Sequence, residues 1–328
     1  MGSGRGNAVR PRGCHRLAAP MLCCGMDDIL TDAVIDRARG ALVGLAVGDA
    51  LGTTLEFSTR DSRPHHREMT GGGPFGLQPG QWTDDASMAL ALADSLIARS
   101  GFDATDLMDR FVSWWQEGRY SCTGACFDIG NATRQALDHY LHGGGPFAGS
   151  TDPTTAGNGS LMRLAPAVLH SLRDPEACRR IAADQSRTTH GAREATEACV
   201  FFGEMLRSAI LGTGKAEILA PRAWEGAARI RSIAHGDWRG QPRALIESSG
   251  YVVHTLEAAL WAVDRTDSFE EALVLAVNLA DDSDSVGAVT GQLAGALYGL
   301  SGIPARWLEP LAWRERIVEM ADALVAQS

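Results

Sequence analysis

The feature that most limits what this chain can fold into is the recurrence of Ala, Leu and Met at three- and four-residue spacing from Asp36 almost to its end. Met88, Leu92 and Leu96 show the pattern, because at 3.6 residues per turn they fall on one face of a helix, whereas a strand would need strict alternation. Comparable stretches cover residues 104–117, 133–141, 161–172, 175–186, 193–210, 251–263, 269–279, 286–300 and 313–325. About ten helices and no convincing strand predict an all-α fold, a compact orthogonal multi-helix bundle. Apolar residues make up 45% of the chain and charged ones 21%, which suits a soluble globular protein with a sizeable core.

At 328 residues the chain is longer than most single domains. Residues 27–328 are nevertheless expected to form one domain, because candidate site residues lie on both sides of the one plausible boundary, near 212–241. Residues 1–26 carry Arg5, Arg10, Arg12 and Arg16 among Gly and Pro with no acid and no helical period, the pattern of a disordered basic tail. The apolar run 17–24 is broken by Pro20 and is too short to span a bilayer. Non-periodic segments at 56–81, 120–131, 143–159 and 212–241 are rich in Gly or Pro, and loops of that length in a compact domain are usually functional.

The net charge is −10, and without the tail's four arginines about −14, the wrong sign for binding a phosphate backbone. Nucleic acid and membranes are therefore disfavoured as partners, and a monomer is expected. Seven scattered cysteines, odd in number and without CxxC units, predict reduced thiols in a cytoplasm. Cys122 and Cys126 lack the second pair that a zinc site would need.

Two acidic clusters stand at the starts of apolar helices, Thr83-Asp84-Asp85 and Asp282-Ser283-Asp284-Ser285. One reading is helix capping, for which Asp and Ser are favoured. Capping needs one side-chain oxygen, however, and each cluster supplies two carboxylates and a hydroxyl next to apolar neighbours that imply burial. Like charges packed in a low dielectric are costly unless cations neutralise them. If the two helix starts face each other, four carboxylates converge, and Glu56, following a Gly48-Asp49-Ala50-Leu51-Gly52 turn, adds a fifth. The all-oxygen set favours Mg²⁺, Mn²⁺ or Ca²⁺. An EF-hand is excluded because Val286 and Leu293 stand where its third and its bidentate ligand belong.

These residues resemble the ADP-ribosylglycohydrolase family, which includes dinitrogenase-reductase-activating glycohydrolases and the hydrolases of ADP-ribosylated arginine and serine. The resemblance runs in order from about Arg37 to Leu300: Arg39-Gly40-Ala41-Leu42, then Gly48-Asp49-Ala50-Leu51-Gly52 with Glu56, then Trp82-Thr83-Asp84-Asp85. Phe127-Asp128-Ile129-Gly130 with Thr133, Gly157-Asn158-Gly159-Ser160-Leu161-Met162-Arg163, Thr189-His190 and Asn278-Leu279 leading into Asp282-Ser283-Asp284-Ser285 follow. It implies an all-α fold with two Mg²⁺ or Mn²⁺ ions at the base of an ADP-ribose cleft. The implied metal ligands are Thr83, Asp84, Asp85, Asp282, Asp284 and Ser285. This chain departs from the family in carrying Ala280-Asp281 where Gly-Gly is usual, serines for two threonines, and Ala86 for a threonine.

The implied reaction cleaves an ADP-ribosyl bond through an oxocarbenium-like centre, so the site must hold the distal ribose and help the leaving group depart. Glu56, Asp85 and Asp128 are the candidate catalytic residues, with Glu56 first for proton transfer. Asp128 either pairs with the guanidinium of a modified arginine or caps the helix that follows. The Gly157-Asn158-Gly159-Ser160 turn, opening the predicted helix 161–172, is either an anion site for the diphosphate or a plain turn. Glu56, Gly130 and His190 complete the candidate ADP-ribose contacts, and Trp82 and Phe147 either wall the adenine or belong to the core. Removal of ADP-ribose from modified protein side chains, most readily arginine, is the leading function. Alternatives are hydrolysis of serine-linked or small-molecule conjugates, a silent ADP-ribose-binding relative, or a helical metal phosphohydrolase, whose usual adjacent His-Asp pairs are absent here.

Overall fold

A computed structural model describes residues 1–4 and 29–328, so from residue 5 onward the basic tail expected over 1–26 lies outside the described residues. Among the described residues the regular structure is helical, with only isolated β-bridges between loops. Fourteen α-helices follow one another: α1 (Asp32–Gly52), α2 (Asp84–Arg99), α3 (Ala104–Glu117), α4 (Asn131–Leu141), α5 (Ala165–His170), α6 (Pro175–Thr189) and α7 (Arg193–Ile210). After them come α8 (Lys215–Ile218), α9 (Ala228–His235), α10 (Val252–Asp264), α11 (Phe269–Val277), α12 (Ser283–Tyr298), α13 (Ala305–Leu308) and α14 (Arg314–Ala326). No helix among them is long and apolar enough to cross a membrane.

The molecule is built around α1 and α12, which lie antiparallel with their backbones in direct contact. Gly40, Gly44, Gly48 and Gly52 recur every four residues and so share one face of α1, opposite Gly295, Gly291, Gly287 and Ser283 of α12. A Cβ on Gly48 would fall 2.0 Å from the Gly287 carbonyl oxygen, and one on Gly291 2.0 Å from that of Gly44. Only glycine permits this approach. Here the structure corrects the sequence reading: Gly48 and Gly52 are not a turn but the last turns of α1. The close pair is enclosed by α2, α7, α10, α11 and α14, and both helices are buried nearly all round. The contact brings the C-terminal end of α1 beside the N-terminal end of α12, and with it Asp49 and Glu56 beside Asp282 and Asp284.

Two other elements differ from expectation. The predicted helix 161–172 shrinks to α5, because Pro166 lacks an N–H and is tolerated only in a first turn, which places the start at Ala165. Upstream, the Asn158 carbonyl accepts from the N–H groups of Leu161 and Met162 in a non-helical turn. The glycine turn at 157–160 therefore does not sit at a helix N-terminus. Within 212–241, α8 and α9 are too short for a periodic signal to show. The predicted loops at 56–81, 120–131 and 143–159 carry no α-helix short of Asn131, and three of them converge on one cleft.

Candidate active site

Helices α1, α3, α6 and α11 are capped by their own neighbours Thr31, Asp103, Asp174 and Ser268, whose side-chain oxygens accept from first-turn N–H groups. The two acidic helix starts are not. Neither Thr83 before α2 nor Asp282 before α12 makes a side-chain capping bond. At α2 the cap comes from a distant residue: the Asp49 carboxylate accepts from the Thr83 N–H (2.9 Å), the Ala86 N–H (2.9 Å) and the Thr83 hydroxyl (3.0 Å). Asp49 thus satisfies the exposed donors of α2 from inside α1. Asp84 and Asp85 are thereby left without a capping task, which removes the alternative reading of that cluster. In the sequence Asp49 stands out only as an aspartate among the apolar residues of the Gly48–Gly52 motif, the one local signal of this role.

The carboxylates converge as the sequence suggested. Oxygens of Glu56, Asp128 and Asp284 all lie within 4.8 Å of one another. The Thr83 hydroxyl stands 3.3 Å from Asp284 Oδ2 and 3.4 Å from Asp85 Oδ2, and the Ser285 hydroxyl 3.5 Å from Asp85 Oδ2. Asp282 is held by the Asn158 amide, which donates to its Oδ2 at 2.7 Å and to Thr255 Oγ1 at 2.9 Å. Seven acids, counting Asp49, share the space; Asp49, Glu56, Asp84, Asp85 and Asp284 are buried, and Asp128 and Asp282 are half-buried. Burial, followed by the Asp284 charge, pushes Asp49 up to about 7 and Asp128 up to about 9. The same two causes lead at Glu56 and Asp282, both pushed upward, and Asp84 and Asp85 are raised well above the usual range, again chiefly by burial.

A cavity of about 540 Å³ opens onto this floor. Its walls include Glu56, Asp84, Asp128, Gly130, Gly157, Asn158, Gly159, His190, Asp282, Asp284 and Ser285, so most of the predicted site residues share one space. Thr83 and Asp85 lie just beneath, in contact with the lining acids. Ser160 does not face the cavity. It is fully buried, with its hydroxyl 2.8 Å from that of Ser186 and accepting from the Cys199 thiol, because the turn after Gly159 directs it inward. Trp82 is likewise a core residue, packed edge-on against Trp313 and donating to the Ala312 carbonyl, and Phe147 is exposed and outside the cavity wall. Asp128 does not cap α4, whose N-cap is Gly130 without a side-chain bond.

The segment carrying Glu56 is strained and tied down. Phe57, Asp128, Ala280 and Asp281 all adopt positive φ (56, 58, 61 and 61°) around the cleft, a conformation that side chains other than glycine's disfavour. Phe57 N–H donates to the Asp281 carbonyl (2.8 Å) and Asp281 N–H to that of Ser58 (3.0 Å). The Arg60 guanidinium adds bonds to the carbonyls of Leu279 (3.0 Å), Arg243 (2.7 Å) and Ile246 (2.5 Å). Two consecutive left-handed residues at 280–281 explain why a Gly-Gly pair suits this place.

The donor set fits hard divalent cations. Every convergent side chain is an oxygen donor, and among the described residues no Lys or Arg lines the cavity and Glu56 Oε2 and Asp85 Oδ1 are buried without a hydrogen-bond partner. His190 adds no positive charge, since burial and then the Arg163 charge hold its imidazole down at about 3.

The ADP-ribosylglycohydrolase family profile matches residues 30–328. The chain is 49% identical over 293 residues to an ADP-ribosylarginine hydrolase Tri1 of Pseudomonas putida, an alignment covering 89% of this chain and 79% of that protein. It is 37% identical over 300 residues to the ADP-ribosyl-[dinitrogen reductase] glycohydrolase of Rhodospirillum rubrum, covering 90% and 97%. A solved structure described as an ADP-ribosylglycohydrolase-related protein complex superposes with a TM-score of 0.82 at 46% identity, over 91% of this chain and all of that one. With the fold, the ordered motifs and the acid-floored cleft in agreement, the chain belongs to the ADP-ribosylglycohydrolase family.

Proposed function

We propose that the protein hydrolyses the N-glycosidic bond between ADP-ribose and an arginine side chain of a modified protein, with two Mg²⁺ or Mn²⁺ ions in its cleft. The observation that carries this reading is the cavity floor, where acids distant in sequence converge and, among the described residues, no cationic side chain joins them and two oxygens lack partners. The arginine preference rests on the relatives of 48–49% identity, both described as ADP-ribosylarginine hydrolases. Thr83, Asp84, Asp85, Asp282, Asp284 and Ser285 would hold the ions. When bound, these supply positive charge that lets the acids ionise together and polarises ribose hydroxyls.

The chain's own residues perform the remaining work. Asn158 fixes Asp282 through its amide, and Gly157 and Gly159 keep the wall beside His190 free of side chains. Asp128, half-buried at the rim, presents a carboxylate of the kind that pairs with a guanidinium by two hydrogen bonds. Glu56, with Oε2 unpartnered, is placed to give a proton to the departing guanidine nitrogen as the C–N bond breaks and to recover one from the water that adds to the anomeric carbon. Products are free ADP-ribose and an unmodified arginine. Residues 27–328 act as one domain in this reading, since the site draws on α1, α2 and α12 together.

Chromatographic detection of ADP-ribose released from arginine-linked and serine-linked peptides, with Mg²⁺, Mn²⁺ or chelator, tests the proposal. Release from the arginine peptide that stops with chelator is expected. Release insensitive to chelator would remove the ions from the reading, and release from the serine peptide alone would move the substrate class.

A further inference from the structure

His190 is 4% exposed, lines the cavity, and among the described residues has no partner for its Nε2. Its ring lies against the glycine turn so closely that a Cβ on Gly159 would meet Cε1 at 2.7 Å and Nε2 at 3.0 Å. The other ring nitrogen, Nδ1, lies 2.8 Å from Thr189 Oγ1. That hydroxyl in turn lies 2.9 Å from Nη2 of Arg163, a fully buried arginine with no carboxylate partner among the described residues. Nη2 also donates to the Gln185 carbonyl (2.8 Å) and stands 3.3 Å from Thr188 Oγ1, Nε donates to Gln185 Oε1 (3.0 Å), Nη1 faces the Met88 sulfur (3.8 Å), and the guanidinium carbon sits 4.6 Å from the centre of the Phe111 ring.

The direction of each bond in this row follows from what the groups can do. A guanidinium only donates, so Thr189 Oγ1 accepts from Arg163. The hydroxyl has one proton, and its one remaining neighbour is Nδ1 of His190. Nδ1 therefore accepts, and the single proton of the neutral ring resides on Nε2. We infer that Arg163 and Thr189 are positioning residues that lock His190 as a neutral Nε2–H donor aimed into the cleft, where it binds a phosphate or ribose oxygen of the ADP-ribosyl group. The opposite tautomer would present a lone pair, which repels a phosphate oxygen and can only accept from a ribose hydroxyl. Burial and the Arg163 charge both disfavour the doubly protonated ring, so the donor is uncharged among the cleft's acids. The ligand named here rests on the proposed function; the tautomer does not.

The test uses the full chain with Mg²⁺, ring ¹⁵N shifts of His190, and calorimetric titration with ADP-ribose as probe. The wild type should show the Nε2–H tautomer. Thr189→Val keeps the shape but has no proton to give, so the single-tautomer signature should be lost and ADP-ribose affinity should fall about 5- to 10-fold, the loss of roughly one hydrogen bond. Thr189→Ser should restore the tautomer and bring affinity within about 2-fold of wild type. An Nδ1–H tautomer in the wild type overturns the inference, and this readout stands even if Thr189→Val folds poorly. Unchanged affinity in a folded Thr189→Val protein also overturns it. Wild-type protein that shows the expected tautomer yet binds no ADP-ribose removes the ligand assignment and counts against the proposed function, leaving the relay intact.

Discussion

Asp49 decides what the other acids of the cleft are free to do. Both of its oxygens accept backbone N–H groups of α2, so the helix start is closed without using Asp84 or Asp85. Asn in its place offers one carbonyl oxygen for two donors and turns an N–H₂ toward an N–H. Asp49→Asn should therefore lower unfolding free energy by about 1–3 kcal/mol in urea and weaken Mn²⁺ binding as Asp84 and Asp85 shift. Unaltered stability would show that α2 closes some other way. Asp284 acts oppositely in the metal-free protein, because its charge is among the leading causes that raise Glu56, Asp85, Asp128 and Asp282. Asp284→Ala should raise the metal-free melting temperature while abolishing the rise that Mg²⁺ or Mn²⁺ brings to the wild type. A variant that melts lower without metal would mean the acids are not in mutual conflict. The clustering of these acids was legible in the sequence because carboxylates beside apolar neighbours need an explanation. Asp49 was not, since its partners lie 34 and 37 positions away.

At the level of elements, the glycine face between α1 and α12 sets the distance between Glu56 and Asp284. Gly40, Gly44, Gly48 and Gly52 stand four residues apart in the sequence, yet Gly48-Asp49-Ala50-Leu51-Gly52 alone suggests a turn, because glycine lowers helix propensity by about 1 kcal/mol each. Backbone contact between two buried helices overrode that local cost, and contact between residues as far apart in the chain as Gly48 and Gly287 leaves no local trace. Helix periodicity was legible for the opposite reason, since burial of one face repeats along the chain. Gly48→Ala places a methyl where the Gly287 oxygen stands, so it should destabilise by about 1–3 kcal/mol or more and reduce metal-linked stabilisation in the same protein. Loss of stability with full metal response would separate the helix contact from the site. The pair at 280–281 runs the other way. Ala280 sits at φ +61°, and Ala280→Gly should stabilise by up to about 1 kcal/mol in urea, since relief of left-handed strain exceeds the entropy glycine adds to the unfolded chain. Destabilisation would mean the alanine methyl contributes more by packing than the backbone loses by strain.

For the whole molecule, the proposed ligands span residues 83 to 285, so the ions they hold would join distant parts of the chain and their binding would be coupled to global folding. The sign of the pH dependence follows from the buried acids. Asp49 and Asp128 keep their protons in the folded state up to about 7 and 9, well above the ordinary carboxylate range near 4 at which they titrate when unfolded. Their contribution to stability is fully present below about pH 4 and drains away as pH climbs through 7 to 9. Half-exposed acids paired with arginine, such as Glu270 with Arg306, are held below their usual range and lose their contribution only at low pH. Metal-free protein should therefore be most stable in weakly acidic solution and should melt at least about 5 °C lower at pH 9 than at pH 6. With saturating Mg²⁺ the slope should flatten or reverse, because the ions take the place of the protons and bind more tightly as these leave. Melting curves at unit pH intervals with Mg²⁺ and with chelator decide the matter. A metal-free protein that gains stability from pH 6 to 9, or a metal-induced shift of equal size at both ends, would mean that the acids of the cleft do not exchange protons for cations.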